Sequence, residues 1–364
     1  MQKICKMPAF ILVMLLLICL AATQWLTPDR EFSEMENRML TQRPEITFDG
    51  FWSGDYTMKL ELFAADQIPM RNEFVSVYAT TQAALGRRMV GDALLGADGY
   101  LFDTSAEYSQ EDLRMNLDAL KELSAETGKN VWILPVPSAA TVYPEKLPAY
   151  APLNQEEAML RTVEQEAEVI PLLDAMRANK DQKLLYAMDH HWTAAGARIG
   201  YEAVCDKLGL TPAPQGEILT CDGFYGSFYA RYPLPWLEAE ALTYELPQGV
   251  RLLINGEEKD TLVDETVLAG RDKYAALLHG NHDSIELIND SVAEGSLLVI
   301  KDSYANALLP MLARNYHQIT AVDPRYFTGN IKELLTEFEG EDVLCVCGIS
   351  SLGASRIIAL MEGF

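Results

Sequence analysis

Apolar positions in this chain are grouped in three different ways. From Pro8 to Ala22 they are continuous, extended weakly through Thr23, Gln24, Trp25 and Leu26, with Lys3 and Lys6 in front. With its flanks the run reaches the roughly 17 to 20 residues that a bilayer span needs. Positive residues ahead of it place the N-terminus in the cytoplasm and the rest outside. A cleaved signal sequence is the competing reading, but no A-x-A site follows. Residues 1–26 are therefore expected to be an uncleaved single-pass anchor, with the main domain extracytoplasmic; if the segment is cleaved, the protein is secreted.

Over residues 27–92 the apolar positions recur at helical spacing. Phe51, Tyr56, Leu60, Leu62 and Phe63 mark one helix between Phe51 and Ala65. Asp66-Gln67-Ile68-Pro69-Met70-Arg71 breaks it, and a second amphipathic run extends from Phe74 to Leu85. The segment is expected to be a helical stalk that packs on the body.

From residue 93 onward apolar strands alternate with amphipathic helices. Asp98-Gly99 between apolar flanks predicts a hairpin turn. Helices are predicted over 109–127, 155–167, near Ala175, from Thr193 as cap to Leu208, over 305–314 and over 331–338. Strands are predicted at 131–136, 169–173, 296–300, 319–322 and 343–347. This rhythm implies an α/β domain with a doubly wound, mainly parallel sheet. Residues 209–293 break it with a Pro-rich start, an aromatic cluster and a hairpin signal at Asn255-Gly256, and are expected to form a β-rich insertion.

Composition narrows the function classes. The 364 residues are 49% apolar and 23% charged, ordinary for a globular chain with a large core. The net charge of −24 repels phosphate backbones and anionic lipid, so no nucleic-acid partner is expected. No CxxC or Cys/His zinc spacing occurs among the six cysteines. Cys345 and Cys347 alternate in an apolar strand and should share one buried face. Export would permit a Cys205–Cys221 disulfide.

Two stretches carry the chemistry. Lys301-Asp302-Ser303-Tyr304 lies between an apolar strand and a helix, where open α/β sheets place their ligand crevice. A serine there either caps the helix or acts as a nucleophile beside backbone N–H donors. Asp189-His190-His191 also follows an apolar run, Leu184 to Tyr186, and precedes a capped helix. A serine nucleophile needs a base, and the base needs a carboxylate to fix its tautomer. Spacing pairs His191 with Asp189 and leaves His190 to the pocket wall. Asn281 is expected to join the Ser303 backbone N–H in meeting an oxyanion. Only five histidines occur in the chain. His190, His191, His279 and His282 with Asp189 and Asp283 form the rival divalent-metal reading; no HExxH is present, and neither metal nor cofactor is expected. Tyr225 and Tyr229, in Phe224-Tyr225-Gly226-Ser227-Phe228-Tyr229, either stack on sugar rings or form a satellite apolar cluster.

Met188 to Thr193 resembles the signature of the DHHW protein family, which is related to the SGNH-hydrolase-like proteins of alginate and other exopolysaccharide O-acetylation. Ser33 to Arg38, Asp66 to Arg71, Gly96 to Phe102, Val142 to Glu145, Phe224 to Tyr229 and Lys301 to Asn306 are similar to further family landmarks, in the same order. The resemblance implies an SGNH-hydrolase-like, flavodoxin-like α/β domain over residues 93–364, with the acid and histidine preceding the serine. It implies a triad of Asp189, His191 and Ser303, with Trp192 completing the Asp-x-His-Trp motif at the substrate site. It further implies carbohydrate O-acetyltransferase or acetylesterase chemistry on a cell-envelope or secreted polysaccharide, and a membrane-bound O-acyltransferase partner. Lys301 departs from the glycine usual in the polysaccharide enzymes and is expected to narrow the space beside Ser303. The alternative from another class is a non-catalytic glycan-binding or scaffold component of a polysaccharide assembly.

Overall fold

The computed structural model describes residues 8–152, 155–356 and 358. Lys3 and Lys6, which set the expected orientation, lie outside them. Two compact units are present. One comprises the residues up to Arg87 together with Tyr232–Trp236; the other comprises Arg88–Arg231 and Leu237–Phe364.

The first unit begins with helix Pro8–Leu26, 19 residues with mean hydropathy 2.4, long and apolar enough to cross a membrane. Helices Phe48–Ser53, Asp55–Gln67 and Arg71–Ala84 follow. The helix expected over 51–65 is thus two, broken at Gly54, whose φ is 86°. Phe32–Ser33 and Arg38–Met39 pair as a short antiparallel ladder within a segment expected to be mostly helical. The buried Asp66 carboxylate explains that turn. It accepts Arg38 Nη1 at 2.9 Å and Nη2 at 2.6 Å, and Thr41 N and Oγ1 at 2.9 Å each. The Arg38 guanidinium holds this carboxyl below the usual range, against the opposing effect of burial.

The second unit is built on a seven-stranded sheet. In chain order its strands are β1 (Asn130–Val136), β2 (Val250–Ile254), β3 (Glu257–Lys259), β4 (Ser284–Asn289), β5 (Ser296–Lys301), β6 (Gln318–Val322) and β7 (Asp342–Gly348). Their spatial order is β3-β2-β4-β6-β5-β7-β1. Pairings β6–β5, β5–β7 and β7–β1 are parallel; β3–β2, β2–β4 and β4–β6 are antiparallel. The sheet is therefore mixed rather than mainly parallel. The reason is that residues 250–289, expected within a separate β-rich insertion, add three antiparallel strands to the same sheet. Within that insertion Ile218–Phe224 and Glu240–Glu245 pair apart from the sheet, as do Met89–Val90, Ala93–Leu95 and Leu101–Asp103 ahead of the insertion. The Asn255-Gly256 hairpin forms as expected, with both residues at positive φ.

Strand β5 is an interior strand, apolar from Leu297 to Ile300; Leu297, Leu298 and Val299 are completely buried. From β5 the chain passes through helix Ala305–Leu312 to β6 on one side, then through helix Ile331–Glu337 back across β5 to β7 on the other. Right-handed crossovers in opposite directions put these two helices on opposite faces. Helix 305–312 accordingly packs with helix Ala194–Leu208, and helix 331–337 with helix Gln110–Thr127. Strand order reverses at β5, which is where a crevice opens at the carboxyl ends of parallel strands.

One predicted strand, 169–173, and the apolar run before the histidines do not enter the sheet as such. Val169 makes a single parallel bridge with Ile133, and Leu185 a single antiparallel bridge with Trp192. Both runs are buried, and a short apolar run reads alike as a strand or as buried loop. Cys205 and Cys221 are free thiols, not a disulfide. Cys345 and Cys347 share a buried face, with sulfurs 3.8 Å apart.

Candidate active site

Ser303 stands two residues beyond β5, half-buried, at the reversal point of the strand order. Asp302 makes the turn that leads there. Its Oδ1 accepts the Tyr304 N–H at 2.9 Å. Its Oδ2 accepts the Gly348 N–H and the Ser351 hydroxyl, both at 2.8 Å. One carboxylate thus ties the turn to the end of β7, and its two oxygens have room for such multiple donors.

Asp189, His190 and His191 lie on a loop closed by Thr193 N to Leu184 O at 2.9 Å and Tyr186 N to His191 O at 3.2 Å. Buried Glu240 holds the start of that loop: its oxygens accept the Ala187 and Met188 N–H groups at 3.0 Å and pair with Lys183 at 3.0 Å. Thr193 then caps helix 194–208 by accepting the Gly196 N–H.

The loop and the turn meet at the side chains expected to meet. His191 Nε2 is 2.7 Å from Ser303 Oγ. On the other side of the ring, His191 Nδ1 is 2.6 Å from Asp189 Oδ1. Asp189 also accepts the His191 N–H at 2.9 Å and, through Oδ2, the Ser227 N–H at 2.8 Å. Burial raises the cost of its charge, yet the imidazoles of His190 and His191 and these hydrogen bonds hold the carboxyl well below the usual range. A permanent carboxylate on Nδ1 leaves Nε2 to take a proton from the hydroxyl.

Three neighbours that sequence reasoning missed shape this line. The Tyr274 ring stacks on the His191 imidazole at 3.6 Å between centroids and 11° between planes. Burial pushes its phenol well above the ordinary value, so the stacked ring stays neutral. Gly226 is the second. A Cβ there would stand 2.3 Å from Asp189 Cβ and 2.4 Å from Met188 O, so only glycine lets the 224–229 segment approach and present the Ser227 N–H. Glu240 is the third. Gly226 and Ser227 lie inside a stretch the sequence marks; Tyr274 and Glu240 carry no local signal.

Other expected site residues fall differently. His190 lines a cavity beside Tyr304, with Nδ1 3.2 Å from Ser227 Oγ. Desolvation and the adjacent His191 ring lower its pKa below the ordinary value. Trp192 does not reach substrate space. Its indole is completely buried, and Nε1 donates to Tyr304 O at 2.9 Å. It clamps the histidine loop to the serine turn instead. Tyr225 and Tyr229 pack on each other at 4.5 Å, with Arg271 over the second ring. Neither lines the cavity, which is bordered by Phe228 from the same stretch.

Lys301 does not crowd Ser303. Its side chain is fully buried and turned to Asn306 Oδ1 at 2.8 Å, Asn281 Oδ1 at 3.2 Å and Asp323 at 3.9 Å. An ammonium only donates, so both amide oxygens face it, while the Asn306 NH₂ turns to Gly280 O at 3.2 Å and Asn281 Oδ1 at 3.4 Å. His279 bonds Thr261 O at 3.0 Å, and His282 bonds His279 O at 2.8 Å. Among the described residues, Asp189, His190 and His191 are the acid and imidazole group close enough to hold a metal ion, and His279 and His282 are not part of it.

Residues 93–219 match the family model described as "SGNH hydrolase-like domain, acetyltransferase AlgX". A DHHW family protein from Eubacterium siraeum superposes with TM-score 0.63 at 17% identity, over 76% of this chain and 96% of that one. PatB1 of Bacillus cereus gives TM-score 0.62 at 20% identity, over 73% and 98%. PatB1 with a sulfonyl adduct gives 0.58 at 19%, over 72% and 98%. The fold is SGNH hydrolase-like. The resemblance read from the sequence, to the DHHW family and the SGNH-hydrolase-like proteins, is the one the comparisons return. No curated protein matches the chain. In this SGNH hydrolase-like chain the family match covers Asp189 and His191 and ends before Ser303. The pairing with Ser303 rests on the 2.7 Å contact to His191 Nε2.

Proposed function

We propose that the protein is an extracytoplasmic O-acetyltransferase or acetylesterase acting on a carbohydrate polymer through Ser303, His191 and Asp189. The unbroken line from Asp189 Oδ1 through His191 to Ser303 Oγ, at 2.6 and 2.7 Å, carries this reading. A non-catalytic glycan-binding component would not need that alignment. Ser303 Oγ attacks the acetyl carbonyl and its proton passes to His191 Nε2. Collapse of the tetrahedral intermediate expels the donor alcohol, which takes that proton. His191 then deprotonates a sugar hydroxyl or water, which attacks the acetyl-serine and regenerates Ser303. The Ser303 N–H and the Asn281 amide serve the oxyanion. The description of the matching family names an acetyltransferase, which supports acetyl as the group moved. Helix Pro8–Leu26 serves as the anchor, and a membrane-bound O-acyltransferase is the partner that supplies acetyl groups.

Turnover of p-nitrophenyl acetate by wild type and Ser303→Ala tests the reading, with and without a chelator. Loss of about 10³-fold or more in the variant is expected, with no chelator effect. Full turnover by Ser303→Ala overturns it, and chelator-sensitive turnover in that variant points to a metal-dependent hydrolase.

A further inference from the structure

Beside the Ser303–His191 pair lies a cavity of about 160 Å³, reached by His190 and Tyr304, the residues next to the base and the nucleophile. The Tyr304 hydroxyl donates to His190 O at 2.5 Å, so the two walls are joined. The volume is below the roughly 300 Å³ of drug-sized sites and suits one ring of a polymer rather than a long arm. Phe102 and Phe228 supply apolar wall for the C–H face of such a ring.

The charge of this cavity is one-sided. Among its described lining residues there is no lysine or arginine, while Asp103 and Glu156 both border it. Glu156 is 3% exposed, and its carboxylate accepts the Tyr108 hydroxyl at 2.5 Å, the Ser138 N–H at 3.2 Å, the Ser138 hydroxyl at 2.6 Å and the Thr141 hydroxyl. These four donors keep both oxygens of the carboxylate occupied as acceptors. The nearby cation is Arg231, which stands 3.0 Å from both Asp103 and Asp92. Arg231 thus pairs with Asp103 and Asp92 without being among the described lining residues, and the lining itself holds two carboxylates in a chain of net charge −24. A low-dielectric concave wall strengthens such a field.

We propose that this cavity is the acceptor subsite and that it takes an uncharged or amino-bearing sugar while rejecting uronate and phosphate-bearing polymers. The proposal rests on the acetyl-transfer reading above. A hexose ring presents its C–H face to Phe102 and Phe228 and brings no charge; a uronate brings its carboxylate against Asp103 and Glu156.

The full chain in nanodiscs, with p-nitrophenyl acetate as donor, is offered β-1,4-linked N-acetylglucosamine oligomers or oligomannuronate of equal length. Acetylated acceptor is read by mass spectrometry, and acceptor binding by saturation-transfer NMR. The neutral oligomer is expected to be bound and acetylated at least tenfold better, and Asp103→Asn is expected to cut that ratio several-fold by raising uronate use. Equal or better use of the uronate, binding of neither oligomer, or an unmoved ratio in Asp103→Asn overturns the subsite. Ser303-dependent release of p-nitrophenol is read separately. Its absence sinks the acetyl-transfer reading, whereas its presence with a preference for uronate sinks the subsite alone.

Discussion

Lys301 Nζ donates to Asn281 Oδ1 across 3.2 Å, so a buried ammonium decides which way the Asn281 amide points. The same ammonium fixes Asn306 at 2.8 Å. In the proposed mechanism the Asn281 NH₂ meets the oxyanion, and Lys301, bonded to its oxygen, acts as a positioning residue. Lys301→Met removes this donor and leaves the Asn281 oxygen with the 3.4 Å contact from Asn306 Nδ2. A fall in kcat of about 10- to 100-fold with little change in KM is expected, somewhat less than direct loss of an oxyanion donor. A change confined to KM, or none, would show that the Asn281 orientation is set elsewhere.

The same lysine ties stability to pH. Burial lowers its pKa to about 8, against the pull of Asp323, while an unfolded lysine titrates near about 10.4. Between those values the unfolded chain binds more protons than the folded one, so stability from this group rises with pH across that window. Denaturant titrations at pH 7.5 and 9.5 should show wild type gaining on Lys301→Met at the higher pH. The opposite sign would mean that the folded state holds the lysine proton more tightly than the unfolded chain does.

Asp189→Asn separates charge from shape. Asp189 Oδ1 accepts from His191 and Oδ2 from the Ser227 N–H, so both oxygens face donors. Asparagine offers one oxygen and one NH₂, and one donor must then face another. About 1–3 kcal/mol of stability should be lost, together with roughly 10³- to 10⁴-fold in kcat from the misdirected imidazole tautomer. Calorimetry and ester turnover check the two losses separately. Retained kcat with lowered Tm would leave Asp189 a purely structural role.

How much of this site was legible depended on how far each interaction reaches along the chain. Asp189 and His191 are two residues apart, and the Thr193 cap acts within its own helix, so local spacing pointed to them. Ser303 was legible because it follows an apolar strand. The pleat of β5 relative to Asn281 is a tertiary fact, which is why Lys301 read as an obstruction and is instead a support. Trp192 read as a substrate contact because it adjoins His191; its burial follows from helix 194–208 packing on helix 305–312. Val169 to Leu173 read as a strand because burial alone makes a run apolar. Tyr274 and Glu240 act on residues more than fifty positions away and left no local pattern.

Tyr274 tests whether stacking holds the base. Its ring covers His191 at 3.6 Å, while its hydroxyl is 3.5 Å from Tyr304 O, a long contact. The ring should therefore matter more than the hydroxyl. Tyr274→Phe is expected to keep kcat within a few-fold. Tyr274→Leu is expected to lose about tenfold, in line with roughly 0.5–1.5 kcal/mol for a ring pair. Equal damage from both variants would shift the weight to the hydroxyl.

Gly226→Ala probes the acid from its far side. The added methyl would meet Asp189 Cβ at 2.3 Å and Met188 O at 2.4 Å. Neither is the end of a flexible side chain, so backbone has to move. Two bonds depend on that approach: Ser227 N to Asp189 Oδ2 at 2.8 Å and Phe228 N to Met188 O at 3.0 Å. Overpacking of this kind costs about 1–3 kcal/mol, and a lower Tm is expected. Displacing Asp189 also turns His191 away from Ser303, so kcat should fall by more than the stability loss explains at a temperature where the variant is fully folded. Wild-type turnover by a folded Gly226→Ala variant would show that the 224–229 segment does not hold the acid in place.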